Sequence, residues 1–291
     1  MVEVRTGFDT AFNSHGGHSG SYASQFAVTG LSAAHGACQK LKKEMKKLAA
    51  FALEANEDDL EFGIGQQGPE LRVKGTDRSI NYWGLSAMVN INTASQPPEL
   101  ADITLNIRHV YRPPFKIPDT DKKFGNLTLT YASQLHIAVI EIDTKTYVPQ
   151  ILAYAAVDDC GNVINPKIVA GQVHGATAHG IGAAMMEAYI YDKEANLLTS
   201  TFTDYTPITV MNMPDLAYGD IETPSPFSYN GAKGMGEGGG APLHTICAAI
   251  QDALFDKGVV VRNTFNPPSD IYRLLKNPNW AECVKVERRA A

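Results

Sequence analysis

The chain is 291 residues long, enough for one large domain or two ordinary ones, because single cores usually stop growing near ~250 to 300 residues. Hydrophobic residues make up 44% and charged residues 19%, spread along the whole length, which excludes a disordered chain. A net charge of −6, with no long basic run beyond residues 40–47, argues against a nucleic-acid or anionic-membrane binder and favours a small-molecule substrate.

The N-terminus lacks the charged start and apolar stretch of a secretory signal, and no window approaches the roughly 18 to 20 apolar residues of a membrane span. A soluble, cytoplasmic protein with no membrane span is expected. Cys38, Cys160, Cys247 and Cys283 form no Cys-x-x-Cys pair, which fits reduced thiols better than disulfides, zinc or an iron–sulfur cluster. If such clusters serve this protein, another chain carries them.

From Ser32 to Glu54, Ala34, Ala37, Leu41, Met45, Leu48 and Ala52 recur at three- or four-residue steps, with lysines on other faces, predicting an amphipathic helix. Short strands are expected at Leu60–Phe62 and Leu71–Val73 around the turn-prone residues 66–69, then a helix from Tyr82 to Asn90 and a linker at Gln96-Pro97-Pro98. Alternating Ile103, Leu105 and Ile107 read as a strand, and residues 113–125 as a polar loop. A hairpin follows, pairing Leu135–Asp143 with Gln150–Asp158 through a turn at Thr144–Tyr147. Val169 to Tyr191 has helical period but carries Gly171, Gly175, Gly180 and Gly182, each costing up to roughly 1 kcal/mol against alanine, which suggests close approach of something to the backbone. After a loop rich in Pro and Thr, residues 230–240 hold six glycines and lead into a third amphipathic helix through Leu243, Ile246, Cys247, Ile250 and Leu254. Strands mixed with three substantial helices predict an α+β fold, divided into residues 1–100 and 101–291.

Three glycine-rich segments stand out. Glu237 lies in the third, just before a helix start whose unpaired N–H groups can steady an anion; it either acts on a ligand or complements the helix dipole. Gly234 to Gly239 satisfies G-x-G-x-x-G, but Pro224 to Asn230 is no buried strand, so a dinucleotide fingerprint is rejected; Lys233 likewise fails the phosphate-loop pattern, having no Ser or Thr after it. The first segment, His15 to Gln25, offers small hydroxyl residues and free amides suited to phosphate. Its His15 and His18 are better read as hydrogen-bonding loop residues than as metal ligands, and its His-Gly-Gly, like an esterase oxyanion loop, lacks a Gly-x-Ser-x-Gly nucleophile elbow anywhere in the chain. In the second, Gly171 to Gly175 at the expected start of the long helix, Gln172 can read a polar cofactor or serve as a capping amide. Three such helix starts, near residues 20, 171 and 238, imply one large polar or polyanionic ligand gripped from several sides.

Val157 through Gly175, followed by Gly231-Ala-Lys-Gly-Met-Gly-Glu237, resembles the molybdopterin-binding large subunit of the xanthine dehydrogenase and aerobic carbon monoxide dehydrogenase family of molybdenum hydroxylases, specifically its C-terminal part. The resemblance runs from about residue 15 to 275. It implies a molybdenum–molybdopterin cofactor, in bacterial relatives usually a cytosine dinucleotide. The matching cofactor-binding positions are Gly20, Ser21, Tyr22, Ala23, Ser24, Gln172, Lys233, Gly234 and Gly236, and Glu237 matches the active-site glutamate, the base in oxidation of an electron-poor carbon with water as oxygen source. The implied partners are an iron–sulfur small subunit and an FAD medium subunit; because the sequence starts at Met1 yet enters the family pattern midway, a separate chain supplying the upstream half is expected, making this one piece of a split subunit, with a truncated gene product as the competing reading. Many relatives carry Gly-Thr-x-Gly-Ser-Arg-Ser where this chain has His18 to Ser24, so an arginine that helps bind the dinucleotide is absent. Carbon monoxide, aldehyde, N-heteroaromatic and acyl-CoA substrates are not separated by these residues. The competing classes are a catalytically inactive assembly or binding protein that retains the fold, for which loss of the glutamate is the expected mark, and a hydrolase.

Overall fold

A computed structural model describes residues 4, 22–93, 97–121, 123–126, 129–238 and 240–277. It is α+β, and its residues divide into two compact units, Thr29–Pro114 and a second made of Met1–Val28 with Phe115–Ala291.

The smaller unit opens with α1 (Thr29–Ala52), whose Met45, Leu48 and Ala49 are buried while most of its lysines stay at the surface, the amphipathic division its apolar spacing predicts. β1 (Leu60–Gly65) and β2 (Gly68–Val73) form an antiparallel hairpin closed by Gln66 and Gln67, with Gly68 at φ 105° where a side chain is disfavoured. A short β3 (Ser79–Asn81), not foreseen from its three mostly polar residues, pairs antiparallel with β2. Asn81 then caps α2 (Tyr82–Asn90), its Oδ1 accepting the Gly84 N–H at 2.8 Å. Leu48, Leu60, Leu71 and Leu85 form the centre of this unit's core. The strand expected at Ile103–Ile107 is absent: residues 101–110 alternate between exposed and half-buried, yet no neighbouring strand pairs with them. Ile103 and Leu105 pack on the core instead, so the alternation records a segment lying against a hydrophobic surface without a ladder.

In the larger unit, β4 (Ser133–Ile142) and β5 (Pro149–Asp159) make the expected hairpin, and Asp143 Oδ1 nucleates its turn by accepting from the N–H groups of Lys145 and Thr146. β6 (Leu216–Asp220) joins parallel to β5. Between them lie α3 (Pro166–Met185) and the one-turn α4 (Phe202–Tyr205). Asn165 caps α3 by accepting from Lys167 and Ile168 N–H, with Pro166 at the first helical position. α3 stops at Met185, six residues before the expected end, because Met186 and Glu187 both turn their N–H groups back to the Gly182 carbonyl. The Glu187 carboxylate then accepts from Tyr205 Oη and Ile208 N–H, which redirects the chain although apolar residues continue to Tyr191. α5 (Gly240–Ala253) packs against α3 and β4, and α6 (Pro268–Lys276), missed in the sequence, inserts Ile271 and Leu274 into the same core.

Gly180 and Gly182 of α3 have packing explanations, Gly182 against the Glu187 carboxylate and Gly180 against α5. A Cβ on Gly180 would lie 2.6 Å from both the Leu243 nitrogen and Pro242 Cγ at the start of α5. Gly180→Ala is therefore expected to destabilise the protein by about 1–3 kcal/mol despite alanine's better helix propensity, measured by urea unfolding.

Candidate functional site

β5 ends in Asp158-Asp159-Cys160-Gly161, and this turn holds the glycine-rich loop that follows Asn230. Gly161, at φ 69°, forms a bridge with Ala232, and a Cβ there would run into the Gly231 carbonyl. The Lys233 N–H donates to the Cys160 carbonyl at 2.7 Å, Asn162 Nδ2 donates to the Asn230 carbonyl at 2.8 Å, and buried Ser228 Oγ donates to the Ala232 carbonyl at 2.8 Å. From the other side, Thr130 Oγ1 donates to the Lys233 carbonyl at 3.0 Å.

The ionic anchor of the loop is Asp159. Lys233 Nζ reaches its Oδ2 at 2.9 Å, each side chain being only 13% exposed, and also donates to Thr223 Oγ1 at 2.6 Å. Thr223 Oγ1 donates to the same carboxylate oxygen, while the Gly161 and Thr223 N–H groups donate to Oδ1. Burial alone would raise the Asp159 pKa, but these donors and the ammonium outweigh it and hold the carboxyl well below its usual range. The Lys233 ammonium is thus directed to Asp159 and Thr223.

Beneath the strands is a second polar group. His136, whose side chain is 1% exposed, has Nδ1 3.0 Å from Tyr154 Oη and Nε2 3.8 Å from Oδ1 of buried Asp158. Burial, countered by a hydrogen bond with Thr245 and reinforced by the Asp158 charge, pushes the Tyr154 hydroxyl upward in pKa.

Distant parts of the sequence meet at the anchored loop. Tyr22, Ala23 and Ser24 lie in a 3-10 turn (Tyr22–Ala27), and Ser24 Oγ accepts the Gly236 N–H at 3.0 Å across 212 residues of sequence. Ser24 comes so close to Gly234, at φ 94°, that a Cβ on that glycine would collide with it. Gln172 Oε1 lies 4.0 Å from where a Gly236 Cβ would be. A cavity of about 220 Å³ on one side of the loop is lined by Ser24, Lys233, Gly236 and exposed Glu237, together with Gln134 of β4. A cavity of about 360 Å³ on the other side is lined by Gln172, Cys160, Gly234 and Gly236, and a third recess joins Gly171, Gln172, Gly175 and His179 of α3 to Gly236 and Gly238. Glu237 sits three residues ahead of α5, close to the unpaired N–H groups of a 14-residue helix.

Ser24, Gln172, Lys233, Gly234, Gly236 and Glu237 therefore line neighbouring cavities around one loop, whereas Gly20, Ser21, His15 and His18 lie outside the described residues. One expectation is corrected: Gly171 and Gln172 are not at a helix start but in the second turn of α3, because Asn165 and Pro166 begin the helix earlier. On this side the loop meets a helix face and not free amides. Gln134, Asp159, Thr130 and Thr223 were missed. Gln134 carried a signal, being a polar residue on the otherwise inward-facing positions of β4. Among the described residues Cys38, Cys160 and Cys247 are unpaired thiols, no three His, Cys, Asp or Glu side chains gather as a metal site, and no helix is long and apolar enough to cross a membrane.

Residues 1–214 match the family model of the molybdopterin cofactor-binding domain, and the chain belongs to that family, within the large subunits of xanthine dehydrogenase-type molybdenum hydroxylases. It is 30% identical over 284 residues to the carbon monoxide dehydrogenase large chain of Hydrogenophaga pseudoflava, covering 97% of this chain and 32% of that protein. It is 31% identical over 268 residues to the 6-hydroxypseudooxynicotine dehydrogenase complex subunit gamma of Paenarthrobacter nicotinovorans, covering 90% of this chain and 31% of that one. Among solved structures it resembles quinoline 2-oxidoreductase from Pseudomonas putida 86, with a TM-score of 0.71 and 31% identity over 88% of this chain and 30% of that chain. The chain thus spans about a third of the length of these relatives.

Proposed function

We propose that this chain supplies the Glu237-bearing part of the molybdenum-cofactor site of a molybdenum hydroxylase large subunit, which works with iron–sulfur and FAD subunits. The observation that supports this best is the meeting of Ser24, Gln172, Gly236 and Glu237, from three remote segments, in adjoining cavities around the 234–238 loop. The cleft also fits a large polar group: Gly171 and Gly175, one turn apart on either side of Gln172, have no protein atom within 4 Å of where a Cβ would be. Among the described residues nothing beyond the helix itself packs against these two positions, which leaves that helix surface open to a ligand.

When bound, the molybdenum–molybdopterin group supplies two-electron oxidation of a small substrate at an electron-poor carbon, with water as the source of oxygen. The chain's own residues bind and orient. Gln172 offers an amide donor and acceptor to the pterin, and the sequence Gly20-Ser21-Tyr22-Ala23-Ser24 with the Gly234 and Gly236 backbone holds the phosphates, in the cytosine dinucleotide form expected of bacterial relatives. Lys233 works through its ion pair with Asp159, fixing the loop. Glu237, exposed to the cleft and placed by that loop, takes up a proton during oxidation. Electrons leave to the partner subunits, and the assembly is cytoplasmic.

The test is elemental and nucleotide analysis of the protein purified with its partner chains. Near-stoichiometric molybdenum with CMP released by acid is expected; a correctly assembled complex without molybdenum would remove the catalytic reading and leave an assembly or binding protein. A structural variant adds an independent readout. Gly175→Ala should raise the stability of the cofactor-free chain by up to about 1 kcal/mol in thermal unfolding while lowering the molybdenum content of the assembled protein.

A further inference from the structure

We infer that His136, held between Tyr154 and Asp158, is the register lock of β5: it decides which of two adjacent carboxylates, Asp158 or Asp159, meets Lys233. It thereby positions the loop that carries Glu237, a role that holds whatever the loop binds.

The end of β5 is degenerate in sequence. It closes on two aspartates, and successive side chains of a strand point to opposite faces, so a shift of one residue would bring Asp158 to the place of Asp159. The hairpin contains the means for such a shift. Ser133 to Val139 pair with Asp159 to Ala153, whereas Ile140 to Ile142 pair one residue out of step with Ile151 to Pro149, which leaves Leu152 as the extra residue of a bulge. Were the bulge to travel to the open end of the hairpin, Leu135 would face Ala156 instead of Val157, and Ser133 would face Asp158.

Register is ordinarily fixed by the contrast between an apolar and a polar face. That contrast is weak here: Leu135, Ile137 and Val139 on one face of β4 and Ala138, Ile140 and Ile142 on the other are all apolar, and Ala-Ala-Val separates Tyr154 from Asp158 on β5. The polar side chains of the inner face supply what the apolar pattern lacks. His136 Nδ1 meets Tyr154 Oη, their rings lying edge to face with centroids 5.8 Å apart, and Asp158 Oδ1 approaches Nε2 from the other side. Among the described residues neither Asp158 oxygen has a hydrogen-bond partner, although its side chain is as deeply buried as the imidazole. A carboxylate buried without a donor is costly, and the basic group beside it is the His136 ring, so charge balance ties the two together. Asp159 is satisfied differently, by Lys233 Nζ, Thr223 and the Gly161 N–H. In the shifted register Asp158 would take over that anchor, while Tyr154 and Asp158 would both turn away from His136. A polar contact that one register alone satisfies selects that register, as a buried polar residue does in a coiled coil.

Cysteine cross-linking in the full chain reads the register directly. Leu135→Cys with Val157→Cys reports the observed register and Leu135→Cys with Ala156→Cys the shifted one, the disulfides being mapped by mass spectrometry. With His136 in place the 135–157 cross-link should dominate. His136→Leu should lower it about ten-fold or more relative to the 135–156 cross-link, because stranding one member of a buried pair is strongly destabilising. Adding Asp158→Val should restore it, since Asp159 is then the only carboxylate at the strand end. A pair that serves stability alone would lower the Tm of His136→Leu and leave the 135–157 cross-link dominant, and that result would overturn the lock. Equal cross-linking of both pairs in His136→Leu, the mark of an unfolded chain, passes the decision to Asp159→Ala. In that variant His136 keeps Asp158 inward and the 135–157 cross-link persists; a dominant 135–156 cross-link would mean that Lys233 draws Asp158 past His136, and would overturn the proposal.

Discussion

On the proposed role, Glu237→Gln is expected to lower turnover of the assembled enzyme by about 10²- to 10⁴-fold while leaving its molybdenum content and thermal stability unchanged. The side chain is exposed and lines the cavity beside Ser24 and Gln134, so an isosteric amide keeps the volume and most polar contacts of the carboxylate. What the amide loses is the ability to take up a proton. A structural carboxylate that only complements the start of α5 would behave differently: its loss would cost a few tenths to about 1 kcal/mol of stability and little activity. Parallel measurement of kcat, molybdenum content and Tm separates the two roles. Undiminished turnover by the variant would withdraw Glu237 from proton transfer.

How much of this was legible in the sequence depends on the range of the interactions involved. α1, α2 and the β4–β5 hairpin follow from apolar periodicity and a local Asp143 turn, which neighbouring residues encode by themselves. β6 is stabilised by parallel pairing with a strand some 60 residues earlier, and nothing in Leu-Ala-Tyr-Gly-Asp announces it. At 103–107 the opposite holds, since correct alternation is satisfied by packing alone and no partner strand arrives. α6 carried a readable signal, Pro267-Pro268 ahead of Ile271, Leu274 and Leu275. In the site, glycine content pointed to the 234–238 loop and to α3, but not to the division of labour within α3. Gly180 is required by α5, whereas Gly171 and Gly175 face open space, and only the packing distinguishes them. Lys233 shows the same limit: its place in the motif is plain, while its partner Asp159 lies 74 residues away and was visible only as part of a strand end.

Removal of that partner has the largest expected effect on the fold of the site. Asp159→Ala leaves the Lys233 ammonium 13% exposed without its counter-charge and deprives Thr223 and the Gly161 N–H of their acceptor. Breaking a largely buried ion pair from one side costs more than the pair contributes, and about 2–4 kcal/mol is expected in urea unfolding, with reduced molybdenum retention because the 230–238 loop is no longer held. Lys233→Met in the same background should restore part of the loss, since the stranded charge is then gone; a double-mutant cycle measures the coupling. The pH dependence has a defined sign. The folded-state pKa of Asp159 lies below the unfolded value of about 3.9, so its contribution is present at neutral pH and is lost as the pH falls below about 4 toward the folded pKa. Asp159→Asn should accordingly flatten the acid limb of the stability curve below about pH 4 relative to the wild type. An unchanged acid limb would mean that other carboxylates, and not this anchor, set the response to acid.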